Sequence, residues 1–147
     1  ARRYAGDDGA FSYKNCTVAE LYGGVIGMLH AFRMPEEPEE VEDSGDVDPV
    51  LEPYARLEVP GSYYVSGMAV FPGLRGKGLG TRMLALAGEQ ARQSGCVQVS
   101  LLAFEQNQGA VELYRRQGFR VIDRTNVVPH ESIRYTGEVL LMTATAQ

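Results

Sequence analysis

Residues 75–81 carry the pattern most suited to chemistry, in which glycines alternate with basic and apolar residues. Glycine lets the main chain come within hydrogen-bond distance of a ligand, because no Cβ stands in the way. The helix predicted to follow leaves its first N–H groups unpaired and is partly positive at that end. These amides, with two basic side chains, indicate a diphosphate site. We call the segment the glycine loop, and its residues are Arg75, Gly76, Lys77, Gly78, Leu79, Gly80 and Thr81.

Two familiar phosphate-binding motifs do not fit the glycine loop. The P-loop, G-x-x-x-x-G-K-[ST], fails because Gly73 and Gly76 are too close and Gly78 stands where Ser or Thr is required. The dinucleotide fingerprint, G-x-G-x-x-G, fails because its third glycine would be Thr81. Neither nucleotide-binding class is indicated.

The surrounding pattern predicts an α/β domain. Alternating or buried apolar runs predict six strands, at residues 17–22, 25–33, 62–71, 97–104, 119–124 and 138–144. Gly23-Gly24 predicts a hairpin turn, one helix follows Leu79 with Gly95 at its end, and another follows Asn107. Strand, glycine loop, helix and strand together make a βαβ unit with a parallel pair.

Composition narrows the class of protein. The 147 residues, 44% hydrophobic and 22% charged, suit one globular domain over residues 1–147 and exclude a disordered chain. No apolar run approaches the roughly 20 residues that span a bilayer, so no membrane partner is expected. Cys16 and Cys96 form no disulfide framework, which favours reduced thiols and a cytoplasmic location.

The net charge of −5 is unevenly distributed. Residues 34–58 hold ten acids against one base, whereas the rest of the chain holds thirteen bases against nine acids. With five prolines, residues 34–60 are predicted to be an acidic loop, with one short helical turn near residues 50–57. The mildly basic body suits an anionic ligand, while the whole chain has no nucleic-acid footprint.

The sequence contains no pattern typical of metal-dependent or acyl-enzyme catalysis. His30 and His130 are the only histidines, and no cluster with metal-ligand spacing joins them, so no metal is expected. No G-x-S-x-G pattern is present, and a covalent acyl-enzyme is therefore not indicated.

Two separate motifs resemble the GCN5-related N-acetyltransferase (GNAT) family. Arg75, Gly78 and Gly80 match its signature of Gln or Arg, two residues, Gly, one residue, then Gly or Ala. Residues 68–72 resemble the strand that enters this loop. Downstream, the family's Asn-x-x-Ala-x-x-Leu-Tyr-x-x-x-Gly-Phe is matched by Asn107, Ala110, Leu113, Tyr114, Gly118 and Phe119.

The resemblance covers about residues 17–143 and implies a mixed central sheet flanked by helices, in which two parallel strands splay apart. It also implies acetyl-CoA as co-substrate. The pantetheine arm would pair with the strand Met68, Ala69 and Val70, the pyrophosphate would lie on the glycine loop, and Asn107 would contact the arm from the other side. Family members usually begin with a strand and one or two helices before the hairpin. Only 16 residues precede Thr17 here, so this segment is expected to be absent or unusual.

Acetyl transfer to an amine needs an acid and a proton acceptor. The resemblance places Tyr114 near the sulfur, and a phenol of pKa about 10 stays protonated at neutral pH and can protonate a leaving thiolate. A backbone N–H near Val70 suits the developing oxyanion. For the base, Glu58 is the first candidate, and Glu20, His30 and Tyr64 are also considered because they lie on or beside the predicted acceptor side.

The expected reaction is transfer of an acetyl group to a small-molecule amine by direct attack. The acidic loop would concentrate a cationic acceptor, although a solvated insertion explains the same charges. Protein or peptide N-acetylation and a CoA-binding sensor module without catalysis are the alternatives. Exposed strand edges also suggest that two copies of the chain form a homodimer.

Overall fold

The computed structural model describes residues 9–37 and 48–146. Within these ranges the strands are β1 (Cys16–Leu21), β2 (Gly24–Arg33), β3 (Tyr63–Val70), β4 (Gln98–Phe104), β5 (Arg120–Asn126) and β6 (Glu138–Thr145). The helices are α1 (Glu52–Arg56), α2 (Leu79–Gln93) and α3 (Gln108–Arg116). Single 3₁₀ turns precede β1 (Tyr13–Asn15) and follow β3 (Pro72–Leu74).

The strands form one mixed sheet in the order β1-β2-β3-β4-β6-β5. The β3–β4 pair is parallel and every other neighbouring pair is antiparallel. Helix α2 connects the two parallel strands, as a parallel pair requires a crossover. The predicted α/β fold with a mixed central sheet flanked by helices is confirmed.

The parallel pair is short and then opens. Its ladder holds three residue pairs and ends where Val65 lies opposite Leu101. Beyond this point β3 continues to Val70 paired with β2, and β4 continues to Phe104 paired with β6. The two strands therefore separate toward their carboxyl ends, and the predicted splayed pair is confirmed. We call the space between them the cleft.

A β-bulge lies at the point where the cleft begins. On the β2–β3 ladder His30 is opposite Gly67 and Ala31 is opposite Val65, which leaves Ser66 as an extra residue on β3. A bulge bends its strand and increases the local twist. Because Ser66 directly follows the last residue paired with β4, the bulge directs β3 away from β4.

The sheet is covered on both faces. The larger core lies under α2 and α3 and includes the fully buried Leu101 and Met142, each of which contributes about 1.5–3 kcal/mol by burial. The smaller core on the other face joins Leu57, next to α1, to Val139 and Leu141 of β6.

Two local expectations can be compared with the structure. The hairpin prediction was wrong by one residue: Gly24 already pairs with Leu21, and Tyr22 and Gly23 form the turn, both with positive φ. The predicted helical turn in the acidic loop is confirmed as α1. Residues 38–47 of that loop lie outside the described residues. No helix in the described parts of the chain is long and apolar enough to cross a bilayer.

Gly27 on β2 should tolerate no side chain. A Cβ there would lie 2.9 Å from the Ala69 carbonyl oxygen of β3 and 2.5 Å from Cε of Met83. The methionine can move, but the carbonyl belongs to the sheet. Gly27→Ala should therefore lower the free energy of unfolding by about 1–3 kcal/mol in urea titrations.

Gly109→Ala is the matched control, since a Cβ at that helical position meets nothing within 4 Å. It should leave stability unchanged or raise it by up to about 1 kcal/mol. Equal stability of Gly27→Ala and the wild type would contradict the close packing of β2 and β3.

Candidate active site

The glycine loop connects β3 to α2 and has an unusual backbone. After the Pro72–Leu74 turn, Gly76 and Gly78 adopt φ values of 76° and 82°. This left-handed conformation strains other residues. A Cβ at either position would meet nothing within 4 Å, so open space lies beside the main chain there.

The amides of this loop have no acceptor within the described parts of the protein. The chain's own carbonyls accept from Leu74 and Arg75 before the loop and from Arg82 after it. No hydrogen bond of residues 9–37 and 48–146 uses the N–H groups of residues 76–81. Six successive amides thus stand at the N-terminus of the 15-residue helix α2, where the helix dipole favours an anion.

The edge of β3 supplies further main-chain groups to the cleft. The N–H of Phe71 donates to Ile26 of β2 at 2.9 Å. Because strand backbone groups alternate in direction, those of Met68 and Val70 point away from β2 and toward the cleft, while those of Ala69 point toward β2. The sequence-predicted Met68 and Val70 therefore line the cleft with their main chain, and Ala69 does not.

The loop and the β3 edge are adjacent. The side chain of Arg75 reaches back so that its Nε lies 3.4 Å from the carbonyl oxygen of Val70. The amide row and the open strand edge thus form one continuous surface of hydrogen-bonding groups.

Helix α3 follows β4, the other strand that borders the cleft, and packs against it. Asn107 is its N-cap, with a side chain that accepts from the amide of Ala110 at 3.5 Å. The first turn of α2 packs close to this helix, since a Cβ at Gly80 would lie 3.0 Å from Cδ2 of Leu113. A side chain at Gly80 would thus require Leu113 to shift, and this close packing brings the glycine loop and α3 together.

Tyr114 lies on the inner side of α3. It packs against the main core, with its ring 6.0 Å from that of Phe119. Burial raises the pKa of the Tyr114 phenol above its usual value of 10.0, because the charged phenolate loses solvation. The hydroxyl therefore remains protonated at neutral pH.

The candidate bases are scattered. Glu58 is exposed in the segment between α1 and β3, and partial burial raises the pKa of its carboxyl. Glu20 is exposed on β1. Tyr64 packs edge-on against Phe32. Of the four, His30 alone is completely buried, on the face opposite α2 and α3.

Ser66 is the polar side chain at the start of the cleft that sequence reasoning missed. Its Oγ lies 2.5 Å from Nδ1 of His30. No local signal marks this serine, because the bulge that exposes it depends on pairing with a strand 36 residues earlier.

Metal-dependent chemistry has no visible ligand set in the described residues, where no group of three or more His, Cys, Asp or Glu side chains is placed to hold an ion.

The chain belongs to the acetyltransferase (GNAT) family, whose sequence pattern matches residues 3–119. Thialysine N-epsilon-acetyltransferase of Sus scrofa is 34% identical over 77 residues, which cover 52% of this chain and 44% of that protein. The enzyme of the same name from Mus musculus matches to the same extent. The chain thus spans less than half the length of these curated relatives.

Solved structures share the fold. Ard1 from Thermoplasma volcanium superimposes with a TM-score of 0.66 at 14% identity, over 92% of this chain and 72% of that one. A GNAT family acetyltransferase from Elizabethkingia anophelis with acetyl-CoA bound superimposes with a TM-score of 0.64 at 14% identity, over 88% of this chain and 74% of that one.

The raised pKa of Tyr114 predicts a pH dependence of stability. Well below pH 10 the phenol is neutral in both the folded and the unfolded protein. As the pH rises above 10, the phenol ionises first in the unfolded protein. The stability that the neutral phenol contributes should therefore be lost as pH rises from about 10 through the folded-state pKa. Urea unfolding of wild type and Tyr114→Phe at pH 8 to 11 should show the wild type losing more stability. A constant difference between the two proteins would contradict burial of this phenol.

Proposed function

We propose that this chain transfers an acetyl group from acetyl-CoA to the amine of a small molecule by direct attack. The observation that carries the proposal is the row of amides at residues 76–81, which have no acceptor within residues 9–37 and 48–146 and which adjoin the cleft between β3 and β4. A diphosphate with an extended arm matches both parts of this surface. Family membership supports the same reaction.

The residues present fit acetyl-CoA as co-substrate. The amides of residues 76–81 would hold the pyrophosphate, aided by Arg75 and Lys77. The cleft-facing groups of Met68 and Val70 would pair with the amides of the pantetheine arm as a neighbouring strand would, and Ala69 would hold this edge in place through β2. Asn107 would contact the arm from the α3 side.

Tyr114 is the proposed general acid. It lies on the inner side of α3, and its raised pKa keeps the proton available at neutral pH. Transfer of the phenolic proton to sulfur would make the thiolate a better leaving group. A cleft-facing N–H of this strand edge, that of Met68 or Val70, would stabilise the oxyanion of the thioester carbonyl.

The acceptor is proposed to be a small cationic amine. The curated relatives are named for thialysine, a small amine-bearing acceptor. The acidic loop at residues 34–60 would attract such a cation. Glu58, at the end of this loop, is still the predicted general base that would accept a proton from the amine. Partial burial raises its pKa and so makes it a better proton acceptor than an ordinary carboxylate.

Gly78→Glu should abolish CoA binding, because the new carboxylate would enter the open space beside the amides and repel the pyrophosphate. Isothermal titration with CoA should show a loss of at least about 100-fold in affinity, equivalent to some 2.7 kcal/mol.

Gly95→Glu is the matched control. Gly95 follows α2 at its other end, has a φ of 74°, and would also direct a Cβ into open space. It should carry a similar strain but bind CoA normally. Normal CoA binding by Gly78→Glu would show that the glycine loop is not the pyrophosphate site.

Tyr114→Phe should keep CoA affinity and reduce kcat for thiol release by about 100-fold, since it removes the acid but keeps the packing. Amine acceptors would be supplied as a panel that includes thialysine, spermidine and a lysine peptide. Tyr63→Phe, which loses a hydroxyl bonded to Gln90 in the same core, should retain its rate. Unchanged turnover of Tyr114→Phe would remove its role as acid.

A further inference from the structure

We propose that Ser66 and His30 form the proton relay that accepts the proton of the attacking amine. The inference rests on the proposed acetyl transfer and names the group that completes it. Ser66 would be the catalytic residue in contact with the amine, and His30 would be a positioning residue that receives the proton through it.

Ser66 lies where the cleft begins. Ser66 is the extra residue of the bulge and the first residue of β3 beyond the ladder with β4. An arm that leaves the glycine loop and runs along Val70 and Met68 reaches Ser66 next. The reactive end of the co-substrate would therefore stop beside the Ser66 hydroxyl.

The hydrogen bonds of His30 fix the direction of proton movement. Its Nε2 lies 3.0 Å from the main-chain oxygen of Ser12, which can only accept, so Nε2 must carry the hydrogen. In a neutral ring Nδ1 then has a lone pair, and this atom lies 2.5 Å from Ser66 Oγ. The Ser66 hydroxyl therefore donates to Nδ1, with the His30 carbonyl as a longer alternative acceptor at 3.2 Å.

The surroundings hold the imidazole in this orientation. His30 is 0% exposed, and its ring stacks parallel to Phe11 and edge-on to Phe32. Both ring nitrogens keep an oxygen partner after protonation, because the imidazolium would donate to Ser12 O and to Ser66 Oγ. A buried charge is tolerated when each N–H is hydrogen-bonded in this way.

The step balances without another reactant. A neutral amine forms the N–C bond at the thioester carbonyl, and its surplus proton passes to Ser66 Oγ while the Ser66 proton moves to His30 Nδ1. The C–S bond then breaks with its electron pair on sulfur, which takes the Tyr114 proton. Solvent afterwards returns one proton to Tyr114 and removes one from His30, which restores both groups.

The exposed Glu58 is the competing acceptor. It lies in the segment before β3 rather than at the start of the cleft, whereas Ser66 already stands there with an ordered partner. If Glu58→Gln stopped turnover while Ser66→Ala did not, the relay would be refuted.

Nitrogen-15 NMR of the imidazole rings tests the relay without any reaction. The chain has two histidines, and His130→Gln assigns the spectrum. The neutral His30 ring should be the Nε2–H tautomer, and Ser66→Ala should shift its Nδ1 resonance because that hydrogen bond is lost. A His30 with the hydrogen on Nδ1 could not accept from Ser66 and would overturn the proposal.

Kinetics tests it independently, with thialysine or the fastest amine of the panel as acceptor. Ser66→Ala should lower kcat by about 100-fold with unchanged CoA affinity. Adding His30→Gln should slow the enzyme no further, because two members of one relay are not additive. Ser62→Ala, which loses a buried serine hydroxyl just before β3, should keep the wild-type rate.

The outcomes separate the two proposals. Wild type that acetylates no amine would refute acetyl transfer, whatever the NMR result. Wild type that turns over with an equally active Ser66→Ala would refute the relay and leave acetyl transfer standing. Additive losses in a folded double variant would also refute it. If His30→Gln is poorly folded, the rate of Ser66→Ala alone decides.

Discussion

The site depends on an interruption of β-sheet hydrogen bonding. The parallel ladder between β3 and β4 stops after three residue pairs, although both strands continue. A strand edge with unpaired N–H and C=O groups can accept one more strand-like partner. Here that edge faces inward, because β4 is held by β6 and β3 by β2. The fold thus keeps an open strand edge where an extended arm of amide groups can bind it.

The bulge at Ser66 lies where this opening begins. The extra residue bends β3 away from β4 and presents a hydroxyl at the point of separation. At the other end of β3, the glycine loop turns the chain into α2, and its amides have no acceptor among the residues that the structure describes. The Ser66 hydroxyl, the open strand edge and the row of loop amides therefore follow one another along a single continuous segment, residues 66–81. Helix α3 is brought against it by the close approach of Leu113 to Gly80.

Much of this could be predicted from the sequence, because the signals are local. Three alternate glycines before an amphipathic run predicted the loop and α2, and the spacing from Asn107 to Phe119 predicted α3. The splayed pair and the mixed sheet came through family resemblance rather than from the residues alone. The hairpin turn was misplaced by one residue. Residue type favours two glycines in the turn, but Tyr22 adopts a positive φ there and Gly24 belongs to the strand.

The remaining features depend on long-range pairing. The contact between His30 and Ser66 joins residues 36 apart, and it exists because a register shift places Ser66 outside the ladder. No composition or periodicity marks such a shift. Likewise, β6 lies between β4 and β5 although it follows both in the chain. The backbone groups of Ala69 point toward β2 because of the strand register. The sequence does not show this register, so sequence matching grouped Ala69 with Met68 and Val70.

The most direct test of the account is to follow backbone amide resonances while CoA is added to the ¹⁵N-labelled protein. The account predicts saturable shifts of the amides of residues 76–81, together with those of Met68 and Val70. Binding of CoA that leaves these amides unchanged and shifts others instead would contradict it.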